Sequence, residues 1–144
     1  MTPDPASPLG ERLALLAATL GLVAAGTALR LVPVGLPASV VKYGGSILWG
    51  AMVYGLVATL LPRPRRRIAV LAAIGALAVE LSRLVHTPGL DAFRLTLAGQ
   101  LLLGRIFSAR NLVAYALGIA VAAFLDSRLR RVPARGGTRG AQRR

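Results

Sequence analysis

The feature that most constrains this chain is the spacing of its helix breakers. Proline, glycine and arginine separate four apolar blocks, at about residues 13–32, 40–61, 68–85 and 109–125. A helix rising 1.5 Å per residue needs roughly 20 apolar residues to cross a hydrocarbon layer of about 30 Å, so each block is of spanning length or close to it. None alternates as a half-buried strand does, and a barrel needs many more segments. The expected fold is all-α: a four-helix transmembrane bundle occupying residues 1–127, with spans at the four blocks. Pro33, Pro37, Pro62, Pro64 and Pro88 mark the breaks, because proline removes a helical hydrogen bond. The first block has no clearly positive leader and a long apolar run, so it reads as a retained span rather than a cleaved signal.

Charge is scarce and clustered. Charged residues make up 16% of the 144-residue chain against 55% hydrophobic, yet the formal charge is +13. With no cysteine and one histidine, a disulfide-stapled module, a cysteine redox site and a multi-histidine metal cage are excluded. No metal and no cofactor is expected. Arg63, Arg65, Arg66 and Arg67 lie between the second and third blocks. Arg128, Arg130, Arg131, Arg135, Arg139, Arg143 and Arg144 follow the fourth. With four spans, that loop, that tail and the N-terminus share one side, and the positive-inside rule makes it cytoplasmic. Residues 128–144 read as a disordered arginine-rich tail. Without aromatic residues it offers bases nothing to stack on, so anionic lipid is the expected partner rather than specific nucleic acid.

Six basic residues remain for the opposite face: Arg30, Lys42, Arg83, Arg94, Arg105 and Arg110. Only two carboxylates, Glu80 and Asp91, fall with them, leaving an excess of four positive charges where the topology rule disfavours them. Counted back from Val85, Glu80 lies about 7–8 Å inside the third span. A carboxylate at such depth must face protein or water and be paired. Arg83, one turn later, is its nearest candidate partner. Ala72, Ala76 and Glu80 form one stripe, Ala114, Gly118 and Ala122 another, and facing these two stripes brings Glu80 inside the bundle. The same stripes can serve between chains, as in a homo-oligomer. The 23 residues 86–108 fit two readings: Asp91 and Arg94 pair on a helical turn, whereas Phe93, Leu95 and Leu97 alternate as in a strand. Either way the segment is expected to be interfacial or re-entrant and to cover the polar layer.

The order of these motifs resembles that of a known family. Arg30, the run Lys42-Tyr-Gly-Gly-Ser-Ile-Leu-Trp-Gly-Ala-Met-Val-Tyr54, then Glu80-Leu-Ser-Arg83, Leu90-Asp-Ala-Phe-Arg94, Gly104, Phe107 and Asn111-Leu-Val-Ala-Tyr115-Ala-Leu-Gly118 resemble the bacterial integral membrane family catalogued as domain of unknown function 2809. The resemblance spans roughly Arg30 to Leu125. It implies a multi-pass protein of the bacterial inner (plasma) membrane and supplies no substrate. The family usually carries Gln where this chain has Arg83 and Asp where it has Asn111. Members are sometimes labelled as ribosome-maturation proteins, a label these residues do not support. A Glu in the third span, an Arg after it and a Gly in the last span are also similar to VanZ-like membrane proteins, more distantly.

The functional expectation is a ligand site built from Lys42, Glu80, Arg83, Arg94, Arg105 and Asn111, binding an anionic lipid headgroup or a similar envelope molecule. Guanidinium groups suit phosphate because their fork matches two oxygens at once. No catalytic set is read. An enzyme acting on lipid-linked phosphate, with Glu80 or Asp91 as general base, is one alternative. A small transporter subunit carrying protons on Glu80 is another.

Overall fold

In the computed structural model, residues 7–32, 35–62 and 64–129 are described. They form six helices: α1 (Pro8–Leu31), α2 (Ala38–Leu60), α3 (Arg65–Ser82), α4 (Pro88–Leu95), α5 (Leu97–Leu102) and α6 (Ala109–Leu129). No strand occurs among the described residues. Residues 1–6, Pro33, Val34, Arg63 and the expected tail from Arg130 onward lie outside the described residues.

Helices α1, α2 and α6 are each long and apolar enough to cross a membrane, and they identify a membrane protein. Helix α3 is shorter, at 18 residues, and carries Arg65, Arg66 and Arg67 in its first turn and Glu80 in its last. It therefore has an apolar middle and charged ends. It closes at Ser82 rather than running to Val85, with the Arg83 N–H bonding back to the Glu80 carbonyl. Glu80 thus sits in the final turn of its helix, closer to the helix end than a count from Val85 gives. At the other boundary, α6 continues past the expected end of its span and takes Arg128 into its last turn. The Arg128 guanidinium lies 4.9 Å from the centroid of the Phe124 ring, one turn earlier, and a cation there complements the negative end of the helix.

Packing is inverted relative to a soluble bundle. The interior holds small and polar residues, including Ala51, Ala58, Ala72, Ala76 and Ala114, around Tyr54, Ile68, Tyr115 and Ile119. The larger aliphatic residues Leu13, Leu16, Leu20, Val70, Ile74, Leu77, Val113, Leu117 and Val121 face outward, as expected where hydrocarbon replaces water. Helix α2 is central. It packs along α6 and α1 most extensively, and α3 closes against both α2 and α6. Ser46 meets Asn111 and Gly50 meets Tyr115, so α2 and α6 run in the same direction. Helices α1 and α3 run the opposite way. One end of the bundle therefore gathers the C-termini of α1 and α3 with the N-termini of α2 and α6.

The small-residue stripe of α6 does not face α3. A Cβ on Gly50 would stand 2.5 Å from the Tyr115 carbonyl oxygen, and one on Gly118 would collide with the Ile47 carbonyl. The tight crossing is thus α2 on α6, with two glycines supplying the closest backbone approach. The α3 stripe packs instead into the Tyr54, Tyr115 and Ile119 cluster.

Segment 86–108 holds two short helices and no strand, its residues 103–108 running as an irregular connection to α6. Thr87 Oγ1 accepts from the Leu90 N–H and Pro88 follows as the first helical residue, which starts α4; Thr96 ends α4 and caps α5 by accepting from the Gly99 N–H. The two caps fix helix in a stretch whose apolar alternation also suits a strand. Gly118→Leu, which drives a branched side chain into the α2 backbone, is expected to lower the unfolding midpoint in detergent by many degrees or to prevent folding. Gly75→Ala, with nothing within 4 Å of the added Cβ, should leave that midpoint unchanged or slightly raised.

Candidate functional site

The end of α3 supplies the two side chains around which the site is built. Glu80 and Arg83 are three residues apart, hence on one helical face. Glu80 is fully buried and Arg83 is 8% exposed. The Arg83 Nη1 donates to Glu80 Oε2 at 2.6 Å. Tyr115, from α6, donates its hydroxyl proton to the same Oε2 at 2.9 Å and accepts from Arg83 Nη2 at 2.9 Å. The other oxygen, Oε1, accepts from the Ser108 backbone N–H at 2.7 Å and, at a longer 3.5 Å, from Asn111 Nδ2. All four lone-pair directions of the carboxylate are therefore occupied. Burying an ion pair is costly unless its remaining hydrogen-bonding capacity is filled, and here it is.

Arg83 also holds the segment after α5. Its Nε donates to the Leu103 carbonyl and Nη1 to the Ile106 carbonyl at 3.3 Å. Between them, Gly104 adopts φ +68° and lies against the guanidinium plane, where a Cβ would fall 2.7 Å from Nη2. Only glycine satisfies both demands without strain. One N–H of Nη2 is left without a partner among the described residues.

Above this layer is a cavity of about 240 Å³. Ser46, Arg83, Asn111 and Tyr115 line its inner side, and Arg30, Lys42, Gln100 and Arg105 its surroundings. The Ser46 hydroxyl donates to the Lys42 carbonyl at 3.0 Å and stands 3.4 Å from Asn111 Oδ1. Lys42 Nζ lies 5.5 Å from the Tyr43 ring centroid, and Arg30 Nη1 donates to the Gln100 carbonyl at 3.2 Å. Neither Arg30, Lys42 nor Arg105 has a carboxylate partner among the described residues. The cavity thus carries three uncompensated cations over a neutralised pair.

Five of the six expected site residues, Lys42, Glu80, Arg83, Arg105 and Asn111, come together here. Arg94 does not. It is 2% exposed, and its guanidinium caps the end of the α3 segment, donating to the Val85 carbonyl at 2.8 Å, to the Ser82 carbonyl and to Asp91 Oδ1 at 3.1 Å. Its geometry is that of a staple holding α4 to the end of α3. Asp91, paired with both Arg94 and His86, belongs to that staple too.

Sequence reasoning passed over Tyr115 and Ser46 as site residues. Both carried a signal: Tyr115 lies four residues after Asn111, and Ser46 four after Lys42, so each shares a helical face with an expected site residue. A second buried cluster at the opposite end of the bundle was also missed. There Asp126 Oδ2 accepts from the Tyr54 hydroxyl at 3.0 Å and from Arg65 Nε at 3.1 Å, joining α6, α2 and α3.

A family model described as a protein of unknown function, DUF2809, matches residues 35–119. The chain belongs to that family. The matched stretch runs from the start of α2 into α6, so it contains the ion pair and most of the cavity wall but not Arg30. No curated protein and no solved structure matches the chain. Among the described residues no group of three histidine or carboxylate side chains is placed to hold a metal ion.

Glu80→Gln leaves Arg83 charged and buried without its counter-ion, and is expected to destabilise the protein by about 3–5 kcal/mol. The Glu80→Gln/Arg83→Gln double variant should recover a substantial part of that loss. A double-mutant cycle of unfolding free energies measures the coupling, and additive losses would rule the pair out as the organising contact.

Proposed function

We propose that this DUF2809 protein is a four-span membrane protein whose cationic cavity binds an anionic, phosphate-bearing group, a lipid headgroup first of all, at the non-cytoplasmic face of a plasma (inner) membrane. The observation that carries this reading is the cavity's charge: Arg30, Lys42 and Arg105 around one space, without a carboxylate to neutralise them. Cations held close together repel one another, and an anion bound among them removes that cost. Arg83 adds a further donor from the inner side.

The four-span count is supported by the position of α3, which is packed against two of the apolar helices and is about 27 Å long at 1.5 Å per residue. The orientation is supported by Arg12, Arg65, Arg66, Arg67 and Arg128, which lie at the end of the bundle opposite the cavity. Both termini are then cytoplasmic. Because the chain has no cysteine, single cysteines report topology cleanly. In intact cells Leu36→Cys, in the α1–α2 connection, should react with an impermeant maleimide, and Arg66→Cys only after permeabilisation. The reverse pattern would invert the assignment.

The proton-carrier alternative requires Glu80 to gain and lose a proton, and the catalytic one requires Glu80 or Asp91 to do so. The Glu80 oxygens already accept from Arg83, Tyr115, Ser108 and Asn111, which favours a positioning role over a general-base one. Asp91 is bound in the Arg94 staple. The binding reading is tested by native mass spectrometry of protein released from mixed micelles. Wild type should retain phosphatidylglycerol over phosphatidylcholine, and Lys42→Ala/Arg105→Ala should lose that preference by about tenfold or more. Arg94→Ala should act on stability instead. Equal retention by wild type and the Lys42/Arg105 double variant would overturn the reading.

A further inference from the structure

The cationic cavity is not isolated. Beside it, an apolar groove of about 270 Å³ runs between α1 and α2, with α5 closing one end. Leu22 and Gly26 of α1, Leu48, Trp49 and Met52 of α2 and Leu101 of α5 form its walls. Arg30 lines both spaces. Its guanidinium lies over Gly45, where an added Cβ would meet Nε at 3.5 Å, and reaches across to the Gln100 carbonyl. Arg30 therefore stands at the border between a polar chamber and an apolar slot.

Three properties define what fits. The polar chamber is positive and the slot is almost wholly apolar. Measured along α1 from Arg30 to Leu22, the slot is about 12 Å deep, most of the depth of one leaflet of roughly 15 Å. Each space alone is smaller than a typical ligand pocket, which starts near 300 Å³, whereas the two joined fall within that range. A soluble anion fills only the first, and a neutral lipid gains nothing from the cations.

We propose that the ligand is a phosphate-bearing lipid held at both ends, its headgroup among Arg30, Lys42 and Arg105 and one acyl chain in the α1–α2 groove. This rests on the cavity binding an anion, and it adds that recognition includes the chain. Arg30 is the contact point of the two halves, placed to bond the phosphate while its aliphatic stem lies along the top of the chain.

The chain carries its own probe, because Trp49 is the single tryptophan and lines the groove. In reconstituted protein, phosphatidylglycerol brominated on its acyl chains should quench Trp49 at a mole fraction at least threefold lower than brominated phosphatidylcholine. Gly26→Leu fills the slot at a position where the new Cβ meets only Leu48 Cβ, at 3.9 Å, and should abolish the difference. Ala98→Leu, which fills it from α5, gives the same test should Gly26→Leu fail to fold. Equal quenching by the two brominated lipids, with phosphatidylglycerol still preferentially retained in mass spectrometry, overturns the chain placement and leaves headgroup binding standing. Loss of the retention preference in wild type removes headgroup binding and this inference with it. If glycerol phosphate, which has no acyl chain, displaces phosphatidylglycerol at equal concentration, the ligand is the soluble anion and the inference is wrong.

Discussion

The contact between Glu80 and Arg83 organises the polar end of this protein. A carboxylate with no exposure inside a packed helical bundle is tolerable only if every lone pair is met. Meeting them recruits three separate parts of the chain: Arg83 from its own helix, Tyr115 and Asn111 from α6, and the Ser108 backbone from the connection before α6. Arg83 in turn ties down residues 103–106. One ion pair thereby fixes how α3 meets α6 and where residues 103–106 sit between them.

A second carboxylate does comparable work at the far end. Asp126 joins Tyr54 of α2 and Arg65 of α3 to α6. Helix α3 is too short and too charged to count by itself as an apolar span, yet it is tied at both ends by polar contacts, partly buried at Arg65 and fully at Glu80. Its middle contributes Ala72 and Ala76, whose small side chains let it approach α2 and α6 closely. Polar ends combined with a small-residue middle give α3 a stable place that its hydrophobicity alone does not. Helix α1, by contrast, packs chiefly on α2, and this leaves the groove in which Trp49 lies.

How the cavity becomes cationic follows from that architecture. Glu80 is consumed by Arg83, and Asp91 by Arg94, with His86 Nδ1 3.3 Å from the same Asp91 oxygen. The remaining bases at this end have no acid left to pair with. A charge count over the sequence gives the excess of four at this end but not which bases carry it. Pairing within the fold separates Arg83 and Arg94, which hold structure together, from Arg30, Lys42 and Arg105, which face a shared space, while the sixth base, Arg110, bonds the Tyr43 side chain.

Much of this was legible beforehand. Long apolar blocks, proline boundaries and clustered arginines determine a helical membrane protein, because these depend on local composition and on the free energy of placing each residue in hydrocarbon. The i,i+3 spacing of Glu80 and Arg83 was equally readable, since a helix makes neighbours of such residues whatever surrounds it. Other features depended on contacts between segments distant in sequence. Gly118 turned to α2 rather than α3, because the choice depends on which backbone comes close. Residues 88–102 became two capped helices although the alternation there also suited a strand. Arg94 turned inward to α3, and Tyr115 joined the ion pair across 35 residues. The sequence by itself determined which residues prefer hydrocarbon and where charge is in excess; only the tertiary structure decided which charges neutralise each other, because pairing depends on distances that helix packing sets.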